Sequence, residues 1–239
     1  MPITEELFRE DAYLKECEAT VVGVNELGGI LLDRSVFYPT GGGQPGDSGV
    51  LVLEDGSRLR VLDAVKGADH EDVVHVLEEG AAAPAPGARV TAEIDWKRRH
   101  KHMRMHTCLH LLCAVVTGDV TGGQIGAEKG RLDFNLPDTQ LDKDHITAEL
   151  NRLVDEDHPV QPRWITEAEL EAQPDLVRTM SVKPPMGGGR VRLLDIAGVD
   201  LQPCGGTHVR RTGEIGRVRV GKIENKGRQN RRINILFDA

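Results

Sequence analysis

Along the first 95 residues, apolar and polar positions alternate in short runs separated by glycine and acidic turn signals. CEATVVGV, GGILLD, DSGVLVLED, RLRVLDAV, EDVVHVL and ARVTAEID each carry the two-residue period of a half-buried strand. Short strands at this density predict a small β-barrel or sandwich. The stretch AAAPAPGA reads as a turn-rich connection, too short for a domain linker. After Asp95 the period lengthens. Asp95 can cap a helix running to about Val116, with Met105, Leu109, Leu112 and Val116 on one apolar stripe and Gly118 as a stop. Ile146, Leu150, Leu153 and Val154 mark a second helix, which Pro159 ends. The remainder alternates turns with the strands QPRWIT, RVRLLDI, IGRVRVGKI and NRRINILF. The chain is therefore expected to be α+β. A small β-barrel domain spans 1–94, and a domain of helices packed on a mainly antiparallel sheet spans 95–239.

Composition narrows the class. With 239 residues, 39% hydrophobic and 28% charged, the chain can bury one large core or two modest ones. No run of about 18 apolar residues is present, and the start MPITEELFRED lacks a signal-peptide pattern, so a cytoplasmic protein without a membrane partner is expected. Cys17, Cys108, Cys113 and Cys204 are too few and too irregular for a disulfide framework. The net charge of -8 argues against a nucleic-acid partner, but phosphates respond to local charge rather than to its sum. Basic residues are clustered. Lys97 to Arg104 holds five Lys or Arg and no acid, and Arg210 to Arg232 holds nine against Glu214 and Glu224.

Two pairs of candidate ligands stand out. His106 and His110 lie four apart on the expected first helix and can aim at one ion. His102 continues the same ladder, so spacing alone leaves the choice of pair open. Downstream, CGGTH places Cys204 and His208 on a glycine turn, and Cys with His suits Zn²⁺ best. A metalloprotease would need glutamate where Thr107 stands. An RNA-binding module with a structural zinc is compatible with both the ligand pairs and the basic runs.

HTCLHLL together with CGGTHV resembles the metal motif of the alanyl-tRNA synthetase editing domain and of its free-standing AlaX-type relatives. FYPTGGGQPGDSG, RTGEIGRVRV and ENKGRQNRRINI are similar to further segments of that family, in the same order, over about residues 37 to 235. The length fits the medium-sized AlaX class. The resemblance implies one Zn²⁺ per chain, held by His106, His110, Cys204 and His208, with His102 left as a surface or supporting residue. It implies a catalytic pocket formed around His106 and His110, in which Thr107 or Gln124 binds a serine hydroxyl. It also implies that Gly41, Gly42, Gly43 and Gln44 shape the entrance, and that Arg210, Arg211, Lys226, Arg228, Arg231 and Arg232 meet acceptor-stem phosphates. TGGGQPGDSG itself is not a nucleotide-binding loop, since no helix follows it, and no nucleotide cofactor is expected.

The implied activity is zinc-dependent hydrolysis of the ester of mischarged tRNA(Ala), carrying serine and also glycine, by a monomer or weak dimer. Zinc would activate a water or polarise the ester carbonyl. Four protein ligands, however, are the mark of a closed structural site. Editing domains of threonyl-tRNA synthetase share the two-pair pattern, which makes Ser-tRNA(Thr) an alternative substrate.

Overall fold

The computed structural model describes residues 4–67, 72–136, 141–177 and 189–238. They fall into two compact units, Met1–His100 and Lys101–Ala239. The fold is α+β, as the pattern predicts.

In the first unit a short parallel pair, β1 (Glu5–Glu6) with β4 (Arg34–Ser35), accompanies a closed barrel. The barrel strands are β2 (Glu16–Val24), β3 (Ile30–Leu32), β5 (Gly49–Leu53), β6 (Arg58–Lys66), β7 (Val73–Leu77) and β8 (Arg89–Ile94). They close in the order β2-β3-β7-β6-β5-β8 through antiparallel pairs. Each expected strand is present, with ends within two residues of those expected. Glu71, where the fifth was expected to begin, lies outside the described residues. Alternation puts Val21, Leu51, Val61 and Ala92 inside, where they pack with Phe8, Ile30, Leu32 and Phe37. Closure removes the free sheet edges.

The polar residues buried in this unit include an arginine–aspartate pair and a histidine. The guanidinium of Arg99 donates through Nε to both carboxylate oxygens of Asp47 (3.0 and 2.9 Å), and through Nη1 and Nη2 to the carbonyls of Ala12 (3.0 Å) and Val36 (2.6 Å). Nη2 contacts the same carboxylate. His75 donates from Nδ1 to the Ile30 carbonyl (3.0 Å) and accepts at Nε2 from the Ser35 hydroxyl (2.8 Å).

Helix α1 (Trp96–Val115) begins at Asp95, whose carboxylate accepts from the Arg98 amide at 3.1 Å. The division between the units falls within this helix. Its expected apolar stripe is buried, but burial goes further: every residue from Met105 to Cys113 is buried. A helix covered on all sides needs no polar face.

In the second unit, β9 (Asp119–Gln124), β10 (Lys129–Asn135), β14 (Val218–Asn225) and β15 (Asn230–Phe237) form an antiparallel sheet ordered β14-β15-β10-β9. Helix α1 rests on β10 where Gly130 lacks a side chain. A Cβ there would lie 2.7 Å from the Met105 side chain. Helix α2 (Lys143–Asp155) is capped by Asp142, which accepts from the amides of Asp144 and His145. Its Ile146, Leu150, Leu153 and Val154 are buried as expected. Asn151 on α2 serves the outer strand β14, donating to the Val218 carbonyl (2.7 Å) and accepting from the Val218 amide (3.1 Å). A second sheet joins β11 (Val160–Thr166), β12 (Arg190–Ile196) and β13 (Asp200–Pro203), with the short helix α3 (Glu167–Glu171) after β11. No helix among the described residues is long and apolar enough to cross a membrane.

Candidate metal centre

The two ligand pairs meet within the second unit. Nitrogens of His106, His110 and His208 and the sulfur of Cys204 all lie within 4.8 Å of one another. Cys204 Sγ stands 3.5 Å from His106 Nε2 and 3.1 Å from His208 Nε2. The three histidines are at least nine-tenths buried. His102 is not among the four. It is buried rather than at the surface, so burial along α1 does not distinguish the ladder's members but direction does.

Three of the four side chains, those of His110, His208 and Cys204, are held from behind. His110 Nδ1 donates to Asp200 Oδ2 at 3.0 Å, which leaves Nε2 to face the cluster, and Gln202 Nε2 donates to the same oxygen at 2.7 Å. His208 Nδ1 donates to the Thr107 hydroxyl at 3.1 Å. That hydroxyl in turn donates to the Met103 carbonyl (2.9 Å) and accepts from the Val209 amide (3.3 Å). The cysteine turn is clamped by Arg192, whose Nη1 donates to the carbonyls of Cys204 (2.7 Å) and Gly206 (3.1 Å). The Gly206 amide points at Cys204 Sγ from 3.4 Å.

The electrostatics favour a thiolate among imidazoles. Burial opposes the Cys204 charge, yet His106 and His208 outweigh it and hold the thiol well below its ordinary range. Burial and the neighbouring His106 keep the His208 imidazole below its usual value. For His110, burial acts against the charged form, but the Asp200 carboxylate and Cys204 raise it to about 10. The set of one sulfur and three imidazole nitrogens, with the Nδ1 atoms of His110 and His208 occupied, fits Zn²⁺.

Asp200, Gln202 and Arg192 were not found by sequence reasoning. The signal was present, because Asp200, Gln202 and Cys204 recur at the two-residue period that puts them on one face of β13 and its continuation.

Other expected site residues are placed differently. Thr107 is fully buried, with its hydroxyl bonded to His208 Nδ1 and to the Met103 carbonyl. Gln124 is exposed, accepts from Arg131 Nε at 3.3 Å and pairs with Arg131 across the strands. Since the adjacent Gly130 faces α1, Gln124 lies on the sheet's other face and does not join the four donors.

Gly41 and Gln44 exchange backbone hydrogen bonds (3.0 and 2.9 Å) around Gly42 and Gly43, whose φ of 57° and 81° make a primed hairpin turn. Tyr38 donates its hydroxyl to the Gly41 carbonyl, and Gln44 is buried, so only the Gly42-Gly43 tip is exposed.

The basic residues are mostly engaged. Arg211 pairs with Asp157 (2.5 Å), Lys226 with Glu224 (2.9 Å), and Arg232 makes two bonds of 2.8 Å to Asp133. Arg231 reaches the carbonyls of Gly227 and Asn230. Arg228 is exposed, and Arg210, also exposed, donates its amide to Glu214 Oε1 at 3.0 Å. Within the upstream run, Arg99 is interior, and Arg104 donates to the Ile215 carbonyl and covers the Phe237 ring.

The chain is similar to known proteins over most of its length. The family described as the threonyl and alanyl tRNA synthetase second additional domain matches residues 191–234, and that of class II (A) tRNA synthetases matches residues 7–98. Alanyl-tRNA editing protein AlaX-M of Methanosarcina mazei is 38% identical over 241 residues, covering 97% of this chain and 95% of that protein. The protein of the same name from Saccharolobus solfataricus is 34% identical, covering 97% of this chain and 98% of its own. Alanine--tRNA ligase of Pyrobaculum neutrophilum is 38% identical over 94% of this chain, which corresponds to 26% of the ligase.

Proposed function

This chain belongs to the family of alanyl-tRNA editing proteins, and from that premise we propose that it hydrolyses the aminoacyl ester of mischarged tRNA(Ala), with seryl-tRNA(Ala) the main substrate and glycyl-tRNA(Ala) a second. A synthetase pocket shaped for alanine cannot sterically reject glycine and rejects the added hydroxyl of serine only modestly, so a second hydrolytic sieve is needed.

The observation that carries the reading is the buried cluster of His106, His110, Cys204 and His208. These four residues would hold Zn²⁺, which when bound supplies Lewis-acid polarisation of the ester carbonyl or activation of water. The chain's own groups prepare the site. Asp200 holds His110 and Thr107 holds His208, each through Nδ1, so both rings turn Nε2 inward. Arg192 and the Gly206 amide fix the turn that presents the sulfur. Among the described residues no Ser/His/Asp order stands beside the cluster to suggest a covalent intermediate, so direct attack by water is preferred. The exposed Arg228 is a cation well placed to meet a tRNA phosphate.

The test is deacylation of Ser-, Gly- and Ala-tRNA(Ala) by the chain and by His106→Ala. Loss of the seryl ester at least tenfold faster than the alanyl ester, abolished in the variant, is expected. Persistence of all three esters would favour an RNA-binding module with a structural zinc, and hydrolysis confined to Ser-tRNA(Thr) would move the substrate to the threonyl branch.

A further inference from the structure

The sheet β11-β12-β13 has two unlike faces. Ile165, Val191, Leu193 and Leu201 turn to one side, where they pack with Leu170. On the other side a single cross-strand row leads outward from the metal centre. The Cys204 amide donates to the Arg192 carbonyl at 3.1 Å, one step past the Leu193–Pro203 pair, and Arg192 pairs with Trp164 on the outermost strand β11. Residues in such a row share a face, and strands lie about 4.8 Å apart, so the Trp164 backbone stands about 10 Å from that of Cys204.

Trp164 is 39% exposed and is the one aromatic among the exposed large hydrophobic residues described. A single exposed leucine such as Leu27 needs no explanation. An indole in register with a metal ligand is different, and it is also held. Arg190, two residues before Arg192 on the same face, places its guanidinium carbon 5.4 Å from the indole centroid. Arg190 is itself exposed, which leaves its charge open to a phosphate.

We propose that Trp164, capped by Arg190, is the stacking platform for the terminal adenine base of the tRNA, seating that base at the sheet edge while the ester on its ribose reaches the four donors. The separation of two strands suits a single nucleoside extended from base to acylated ribose. Stacking on an aromatic face reads no sequence, which is adequate for an end that every tRNA shares. The inference rests on the reading of the cluster as an aminoacyl-ester hydrolysing centre.

Two measurements test it on the full chain. In a Trp96→Phe background Trp164 is the sole indole. Titration with the trinucleotide CCA is expected to quench its emission saturably, and adding Arg190→Ala is expected to weaken the half-saturation point. In steady-state deacylation of Ser-tRNA(Ala), Trp164→Ala is expected to raise KM on the order of tenfold, the effect of one lost base–aromatic stack, with kcat within about twofold, and Trp164→Phe to recover most of the loss. Unchanged emission on adding CCA, or a KM in Trp164→Ala within about twofold of the parent's, overturns the platform. If the parent hydrolyses no mischarged tRNA, the reading of the site fails instead, and the fluorescence titration still decides whether a base stacks on Trp164.

Discussion

The two units each bury a group of titratable side chains, and the groups differ in what their polar atoms face. In the barrel, Arg99 and Asp47 match donors to acceptors, with the remaining guanidinium nitrogens satisfied by the Ala12 and Val36 carbonyls. His75 likewise gives one ring nitrogen to the Ile30 carbonyl and takes the Ser35 hydroxyl on the other. In the second unit, three imidazole nitrogens and a sulfur converge within 4.8 Å, while Asp200 and Thr107 stand behind the rings of His110 and His208. A buried polar cluster whose donors match its acceptors completes a fold. One whose ligand atoms converge could hold a cation.

Variants can break this contrast from either side. Asp47→Asn should cost the most stability, about 3–5 kcal/mol, because it strands the buried Arg99 charge. A denaturant midpoint would show that loss, with zinc per folded chain unchanged. His75 gives a pH signature of nearly the same size. Burial depresses it to about 4 from an ordinary 6.5, so the unfolded chain binds the extra proton first as pH falls. Its contribution is therefore complete above about pH 6.5 and is lost toward pH 4, by about 3 kcal/mol. Comparing stability slopes of the parent and His75→Gln between those limits checks this, and a slope unaltered by the substitution would contradict it. Asp200→Asn should have the smallest effect and act only on the second cluster. Chelator competition should show zinc affinity lowered about 10–100-fold while the fold persists. An affinity equal to the parent's would mean that His110 needs no carboxylate behind it.

The same contrast explains what the sequence revealed. Barrel strands were legible because one face of each is buried, as Leu51 and Val61 show, so alternation survives. Strand β15 matches its apolar pattern end to end at Asn230–Phe237. Strands β9 and β10 were hidden by Gly122, Gly123 and Gly130, of which the last is glycine because Met105 occupies the space of its side chain. That reason is tertiary and leaves no local trace. The ligand pairs were legible by spacing and motif, because i and i+4 share a helix face and a glycine turn bends its flanks together. The roles of Thr107 and Gln124 were not, since a hydroxyl bound to Met103 and His208, or a carboxamide turned to the sheet's far face, depends on direction, which residue type does not encode.

The central claim is that four side chains from distant parts of the chain hold one zinc. The most direct measurement is elemental zinc analysis combined with X-ray absorption on the purified parent and on Cys204→Ala. One zinc per chain with one sulfur and three nitrogen neighbours, lost in the variant, is predicted; a parent without stoichiometric zinc, or zinc with no sulfur neighbour, would contradict the account.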